Sequence, residues 1–173
     1  MTDIDVHLVE ATRDDMTLVH DMTRFYLYDI ARQIGPGEEW VSSFNWMRET
    51  KDFSYAWDPG NHPFLIKADD LVVGFCLIDR YALVPGTEWN MSQFFVMGPW
   101  TRHGVGRLAA KAAFDWFPGR WQVIQIPENG TAVLFWRRII KTYTRGDFEE
   151  RLVPEPDREN AIRNVMTFIA ACR

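Results

Sequence analysis

A chain of 173 residues, 47% hydrophobic and 25% charged, is long enough to bury one sizeable core and has the balance of an ordinary soluble globular domain. Its apolar runs fall far short of a membrane span, and Asp3 and Asp5 give an acidic start unlike a signal peptide, so a cytoplasmic protein without membrane contact is expected. Cys76 and Cys172 form no CxxC motif and no Cys/His cluster, which leaves free thiols, no disulfide framework and no metal site.

Charge is unevenly spread. Residues 1–101 hold seven Lys/Arg against sixteen Asp/Glu, residues 102–145 hold eight against two, and residues 146–173 hold four against six. A basic segment inside an acidic chain of net charge −5 suits one phosphorylated ligand and would repel a polyanion such as nucleic acid.

Taken in order, His7–Ala11 reads as a strand, and Thr12 reads as the N-cap of a helix with Asp14 and Asp15 in its first turn. From Met16 that helix places Val19, Met22, Thr23, Tyr26 and Ile30 roughly on one face and ends near Gly35-Pro36-Gly37. A second short helix is expected over Trp40–Arg48, and Lys51–His62 reads as a loop. Pro63–Ala68 and Leu71–Ile78 form a hairpin turning at Asp69-Asp70, with Gly74 marking a bulge or a close approach. After a turn at Val84-Pro85-Gly86, Glu88–Met97 is a strand that leads to Gly104 and Gly106. The following helix carries Val105, Leu108, Ala109, Ala112, Ala113 and Trp116 in one stripe and stops at Phe117-Pro118-Gly119. Trp121–Ile126 is a strand, and Ala132, Phe135, Trp136, Ile139, Ile140 and Tyr143 form the stripe of another helix. A strand over Gly146–Val153 and a closing helix over Asn160–Ala171 complete the chain. No repeat, linker or low-complexity tract interrupts it, so residues 1–173 are expected to form one α/β domain.

The function is read from the strand, glycine turn and helix over 94–116. A helix N-terminus reached through glycines offers free backbone N–H groups and the positive end of a dipole, a ready phosphate site. The plainer alternative is that the glycines only make the bend. Gly104-Val105-Gly106-Arg107-Leu108-Ala109 also fits the dinucleotide pattern G-x-G-x-x-A, but that pattern needs its glycine directly after the first strand of a parallel unit.

These stretches together resemble the GNAT superfamily of acyl-CoA-dependent N-acyltransferases. The loop at Thr101–Gly106 resembles that family's [Q/R]-x-x-G-x-[G/A] motif, with Val96 eight residues before Gly104 in the place of its strand valine. Asn129-Gly-Thr-Ala132-Val-Leu-Phe135-Trp136 resembles its N-x-x-A-x-x-F/L-Y motif, and Leu71–Phe75 its hairpin strand. The resemblance implies a mixed, mostly antiparallel central sheet flanked by helices, with two strands splayed into an acyl-CoA wedge. It also implies acetyl-CoA as co-substrate, a primary amine of a small molecule or protein as acceptor, direct attack, no metal, and compatibility with a homodimer.

Carried over residue by residue, the resemblance places the pantetheine arm against Phe94, Phe95, Val96 and Met97. The phosphates fall on Arg102, His103, Gly104, Val105, Gly106 and Arg107, with Lys111 adding charge and Asn129 and Phe135 completing the cofactor side. Glu88, Asn90, Ser92, Phe94 and Val96 should share one strand face by alternation. The family's base position falls at Asn90, which can orient water but cannot take a proton, so Glu88 is the carboxylate expected to act as base. The alternative for Glu88 is a solvated strand end, with His20 and His62 in reserve. Tyr26, Asp29 and Trp40, beside Tyr28, Glu38, Glu39 and Trp46, would form an aromatic and acidic wall for a cationic amine. Two departures stand out. Thr101 replaces the long polar side chain of the loop motif, and Trp136 replaces a tyrosine that would return a proton to the thiolate. Tyr143 is two helical turns further on and reads as core. The missing tyrosine leaves a second expectation, a catalytically weak acyl-CoA-binding or regulatory module on the same fold.

Overall fold

The computed structural model describes residues 4–35 and 53–171. The helix expected over Trp40–Arg48 and residues Glu38, Glu39, Trp40, Trp46 and Cys172 lie outside the described residues.

β1 (Val6–Glu10) passes through a 3-10 turn, where the Thr12 N–H donates to Asp15 Oδ2 at 2.8 Å, into α1 (Met16–Ile34). The hairpin follows as β2 (His62–Ala68) and β3 (Leu71–Asp79), then β4 (Trp89–Val96), α2 (Val105–Trp116), β5 (Gly119–Gln125) and α3 (Gly130–Tyr143). The chain closes with β6 (Phe148–Glu155) and β7 (Ala161–Ala170). Among the described residues seven strands make one sheet in the order β1-β2-β3-β4-β5-β7-β6. Every neighbouring pair is antiparallel except β4 with β5. A dinucleotide unit needs a run of parallel strands, and this sheet has a single parallel pair.

The sheet separates two apolar layers. On one side Val19 and Met22 of α1 pack with Phe53, Phe75, Leu77 and Phe95. On the other, Val105, Ala109, Ala113 and Phe114 of α2 and Trp136, Ile139 and Ile140 of α3 pack with Trp121, Met166 and Phe168. The α2 stripe is rotated from the expected one, since Phe114 is fully buried while Trp116 is 54% exposed.

One element differs in kind from its expectation. Residues 161–170 are a strand, not a closing helix. A short apolar run does not declare its period. Here Ile162, Val165, Thr167 and Ile169 are β-branched, and the segment fills the slot between β5 and β6 with a full ladder on each side.

Gly74 in β3 meets both readings made for it. The register shifts between Ile66 and Lys67 opposite it, and a Cβ at Gly74 would lie 2.0 Å from the Phe95 carbonyl oxygen. β3 and β4 approach too closely there for any side chain.

Candidate active site

β4 and β5 are paired only at Trp89–Trp121, Asn90–Gln122 and Met91–Val123. Beyond Met91 the β5-facing main chain of β4 has no strand partner among the described residues, and the two strands part into a wedge. A second irregularity sits at the same point. β4 pairs Gln93 with Leu77 and then Met91 with Ile78, so Ser92 is an extra residue, a β-bulge. The bulge breaks the alternation expected from Glu88 to Val96. Phe94 and Val96 pack toward α2 and α3, whereas Ser92 and Gln93 both reach Tyr55 on the α1 side.

The glycine loop stands at the open end of this wedge. Gly104, with φ +86°, caps α2, a left-handed conformation suited to glycine. The first α2 bond runs from the Leu108 N–H to the Gly104 carbonyl at 3.0 Å, leaving the N–H groups of Val105, Gly106 and Arg107 without intrahelical acceptors. A Cβ at Gly106 would sit 3.1 Å from the Phe135 ring and 3.7 Å from Phe94, so strand, loop and α3 converge on that residue. Arg102, His103 and Arg107 are exposed beside it, and Met97 donates its N–H to the Val73 carbonyl at 2.8 Å. Asn129 is the N-cap of α3, its Oδ1 accepting the Ala132 N–H at 3.1 Å. Phe94, Val105, Gly106 and Phe135 are thus brought together. Phe95 faces the α1 layer instead, and the Asn129 side-chain oxygen is engaged in its cap.

Trp136 is buried behind this wall, with its ring 5.0 Å from Phe94 and 5.1 Å from Phe135. Indole has no proton to transfer near neutral pH. Tyr143 packs on Phe114 and Phe168 and donates its hydroxyl hydrogen to Asp115, the core role expected of it.

At the closed end Glu88 and Asn90 are both held by the protein. Glu88 precedes β4; its N–H donates to the Arg120 carbonyl at 2.8 Å and its Oε2 accepts the Arg120 N–H at 2.8 Å. It extends the join between β4 and β5, and a Cβ at Gly119 would lie 2.1 Å from that oxygen. Asn90 is buried, donating to Asp79 Oδ1 at 2.9 Å and accepting from Gln122 Nε2 at 3.3 Å. Both side-chain groups of Asn90 therefore have protein partners. His62 packs at 4.7 Å on Phe117 and 5.7 Å from Trp89; burial, with Arg80 second, pushes its pKa below the usual histidine range. His20 lines a small cavity with Met16, Phe53 and Trp57 on α1.

The α1 side of the bulge carries a chain of hydrogen bonds that sequence reading missed. Tyr26 donates to Gln93 Oε1 at 2.7 Å, Gln93 Nε2 donates to the Tyr55 hydroxyl at 3.3 Å, and Tyr55 and Ser92 share a bond of 2.8 Å. Burial pushes the Tyr55 phenol pKa up, opposed by the Ser92 and Gln93 bonds and raised further by the charge of Asp79. Tyr26 also lies against Phe53, Phe75 and Phe95, and its phenol is pushed well above the usual range, chiefly by burial. Asp29 is half-buried and meets Arg32 at 3.8 Å. No spacing in the sequence links Tyr55, Asp79, Ser92 and Gln93. Tyr55 falls in a stretch read as loop, and only the bulge puts Ser92 and Gln93 on one side.

The protein-family comparison matches residues 25–140 to the model described as the acetyltransferase (GNAT) family. No curated protein matches the chain by sequence. Among solved structures, an acetyltransferase from Thermus thermophilus is 17% identical with a TM-score of 0.65, covering 98% of this chain and 99% of its own. Spermidine N-acetyltransferase from Vibrio cholerae, in complex with CoA and spermine, is 14% identical with a TM-score of 0.60, covering 95% of each chain. RimL, a ribosomal α-N-protein acetyltransferase in complex with coenzyme A, is 10% identical with a TM-score of 0.61, covering 97% of this chain and 96% of its own. At these identities the structural neighbours establish the fold, and the family-model match over two thirds of the sequence establishes the rest: the chain belongs to the GNAT acetyltransferase family.

Proposed function

We propose that the protein is an acetyl-CoA-dependent N-acetyltransferase that moves an acetyl group to a primary amine of a small molecule or protein by direct attack. The observation that carries this reading is the parting of β4 from β5 after three residue pairs, beside a helix N-terminus with free N–H groups. Acetyl-CoA supplies an activated thioester and a diphosphate. The unpartnered β4 main chain beyond Met91 offers donors and acceptors to an amide-bearing arm. The Val105–Arg107 N–H groups, with Arg102, His103 and Arg107, supply positive potential for phosphate. The CoA complexes of the Vibrio cholerae enzyme and of RimL support the same ligand class, and the spermine in the former supports an amine acceptor.

The amine enters from the α1 side, where Tyr26, Tyr55, Ser92 and Gln93 line the bulge. Asp29 of α1 belongs to the outer rim of that approach. Acylation needs a neutral amine, so this side must also receive a proton. Trp136 cannot reprotonate the departing sulfur, and solvent supplies that proton.

The buried Trp136 supports a second reading, a CoA-binding module with little turnover. Two measurements separate the readings. CoA should raise the melting temperature of the wild-type protein, by about 2.7 kcal/mol of added stability at a hundred times the dissociation constant. Free thiol should then appear when acetyl-CoA is offered with a panel of alkylamines, polyamines and peptide N-termini. Binding without thiol release from any amine would favour the module.

A further inference from the structure

We propose that Asp79 is the base that takes the amine proton, with Asn90 as the residue that positions it; the proposal rests on the N-acetyltransferase reading above. Asp79 ends β3 and is 9% exposed. Its Oδ1 accepts the Tyr81 N–H at 3.1 Å and the Asn90 amide at 2.9 Å. Among the described residues Oδ2 takes no hydrogen bond, and Asp79 forms no ion pair. A largely buried carboxylate with one oxygen fixed and the other open is costly to keep unless something else uses it. Asn90 is fixed in turn by Gln122, whose Nε2 also donates to the Tyr81 carbonyl at 2.9 Å and whose Oε1 accepts the Val84 N–H at 3.0 Å. Five hydrogen bonds, all buried or part-buried, thus set the orientation of one carboxylate.

Its place fits the task. In β3 Asp79 alternates with Leu77 and Phe75, which pack on the α1 side, and its ladder partner Asn90 is one residue before the last β4–β5 pair. Its charge acts on the phenol of Tyr55, which is bonded to Ser92 at the bulge. Among the described residues, the titratable and charged groups around this space are Tyr55, Tyr81, Glu155 at the end of β6, and Asp157 and Arg158 of the β6–β7 turn. Arg158 meets Glu155 at 3.4 Å, and Arg163 meets it at 2.7 Å. Glu88, by contrast, has an oxygen committed to the Arg120 N–H on the β5 side.

The step balances as follows. An alkylammonium gives one proton to Asp79 Oδ2, directly or through one water. The nitrogen lone pair forms the C–N bond as the C–S bond breaks, and that electron pair stays on sulfur. The second nitrogen proton passes through solvent to the thiolate, and Asp79 returns its proton to bulk water.

The test compares wild type, Asp79→Asn, Asn90→Ala and Glu88→Gln with acetyl-CoA and a primary alkylamine across pH 6–10. Asn at 79 keeps an Oδ1 for both N–H donors, and an unchanged CoA-induced melting shift confirms that the variant is folded. Turnover by Asp79→Asn is expected to fall about 10²- to 10⁴-fold at neutral pH. That deficit should shrink as pH rises and the amine loses its proton in bulk. Asn90→Ala should lower kcat about tenfold and leave the KM for acetyl-CoA in place, and Glu88→Gln should lose less than Asp79→Asn. Asp79→Glu restores the carboxylate one methylene displaced and should recover part of the loss. An Asp79→Asn rate within threefold of wild type, or a deficit constant across pH, would overturn the assignment while leaving the transferase reading intact. Absence of wild-type turnover with CoA bound would overturn both.

Discussion

The two ends of β4 are made differently. From Glu88 to Met91 each polar side chain has a protein partner: Glu88 on Arg120, and Asn90 between Asp79 and Gln122. From Ser92 to Val96 the β5-facing main chain has none among the described residues, and the glycine loop beside it adds three N–H groups without intrahelical acceptors. Buried backbone groups in folded proteins are almost always paired. An unpaired strand edge in mid-sheet, next to a helix N-terminus, therefore marks where something other than the chain completes the bonding. The closed end fixes the geometry, and the open end is where we propose that CoA binds.

The largest effect is expected from closing the open end. Gly106→Glu puts a carboxylate among the free N–H groups and a Cβ against Phe135, so the melting shift with millimolar CoA should vanish. Gly106→Ala adds only the Cβ, 3.1 Å from a ring that can yield a few tenths of an ångström, and should keep part of the shift. Equal shifts in wild type and Gly106→Glu would move the phosphate site elsewhere. A shift with NAD and none with CoA would contradict the whole comparison.

Gly74→Ala acts on the seam that holds the open end to β3. Its Cβ would lie 2.0 Å from the Phe95 carbonyl oxygen, backbone that cannot rotate away. Denaturant melts should show a loss of about 1–3 kcal/mol or more, with weaker CoA binding because the displaced strand lines the wedge. A neutral substitution would mean that the close approach is not needed.

Trp136→Phe sharpens the contrast from behind the wall. Trp136 packs on Phe94, Phe114 and Phe135, so the smaller ring should cost stability through a cavity, on the order of 1–3 kcal/mol, yet leave turnover within tenfold. A fall of more than a hundredfold with folding and CoA affinity intact would show that the indole does more than fill space.

The smallest effect is expected far from the wedge. Arg137 makes two bonds of 2.7 Å to Glu150, and this guanidinium holds the Glu150 pKa below the usual glutamate value. A carboxylate lowered in the folded state stabilises above its unfolded pKa and loses that contribution as pH falls through the folded one. Arg137→Ala should therefore destabilise at neutral pH by less than about 1 kcal/mol, with the difference from wild type closing at acid pH. A difference independent of pH would assign the effect to packing of the arginine stem.

Much of this was legible in the sequence because it is local. The glycine turn, the stripe of α3 and the Asp69-Asp70 hairpin each announce themselves within a dozen residues. β7 was misread because apolar content without a clear period does not distinguish strand from helix, and its place between β5 and β6 is a tertiary fact. The common face assigned to Glu88–Val96 failed for a related reason. Alternation assumes an unbroken pleat, and one extra residue at Ser92 reverses it. Asp79 and Tyr55 were invisible as a pair, since 24 positions separate them in the chain and the connection runs through β3, β4 and the 53–57 turn.

On the proposed function an acetyl group passes from the CoA thioester to an amine nitrogen. Incubation with acetyl-CoA labelled in the acetyl group and the amine panel, followed by mass spectrometry of the acceptors, tests it directly. The expected result is one labelled acetyl per acceptor molecule, attached at a primary amine and released in step with free CoA thiol. Label found only in acetate, or no transfer to any amine by protein that binds CoA, would contradict it.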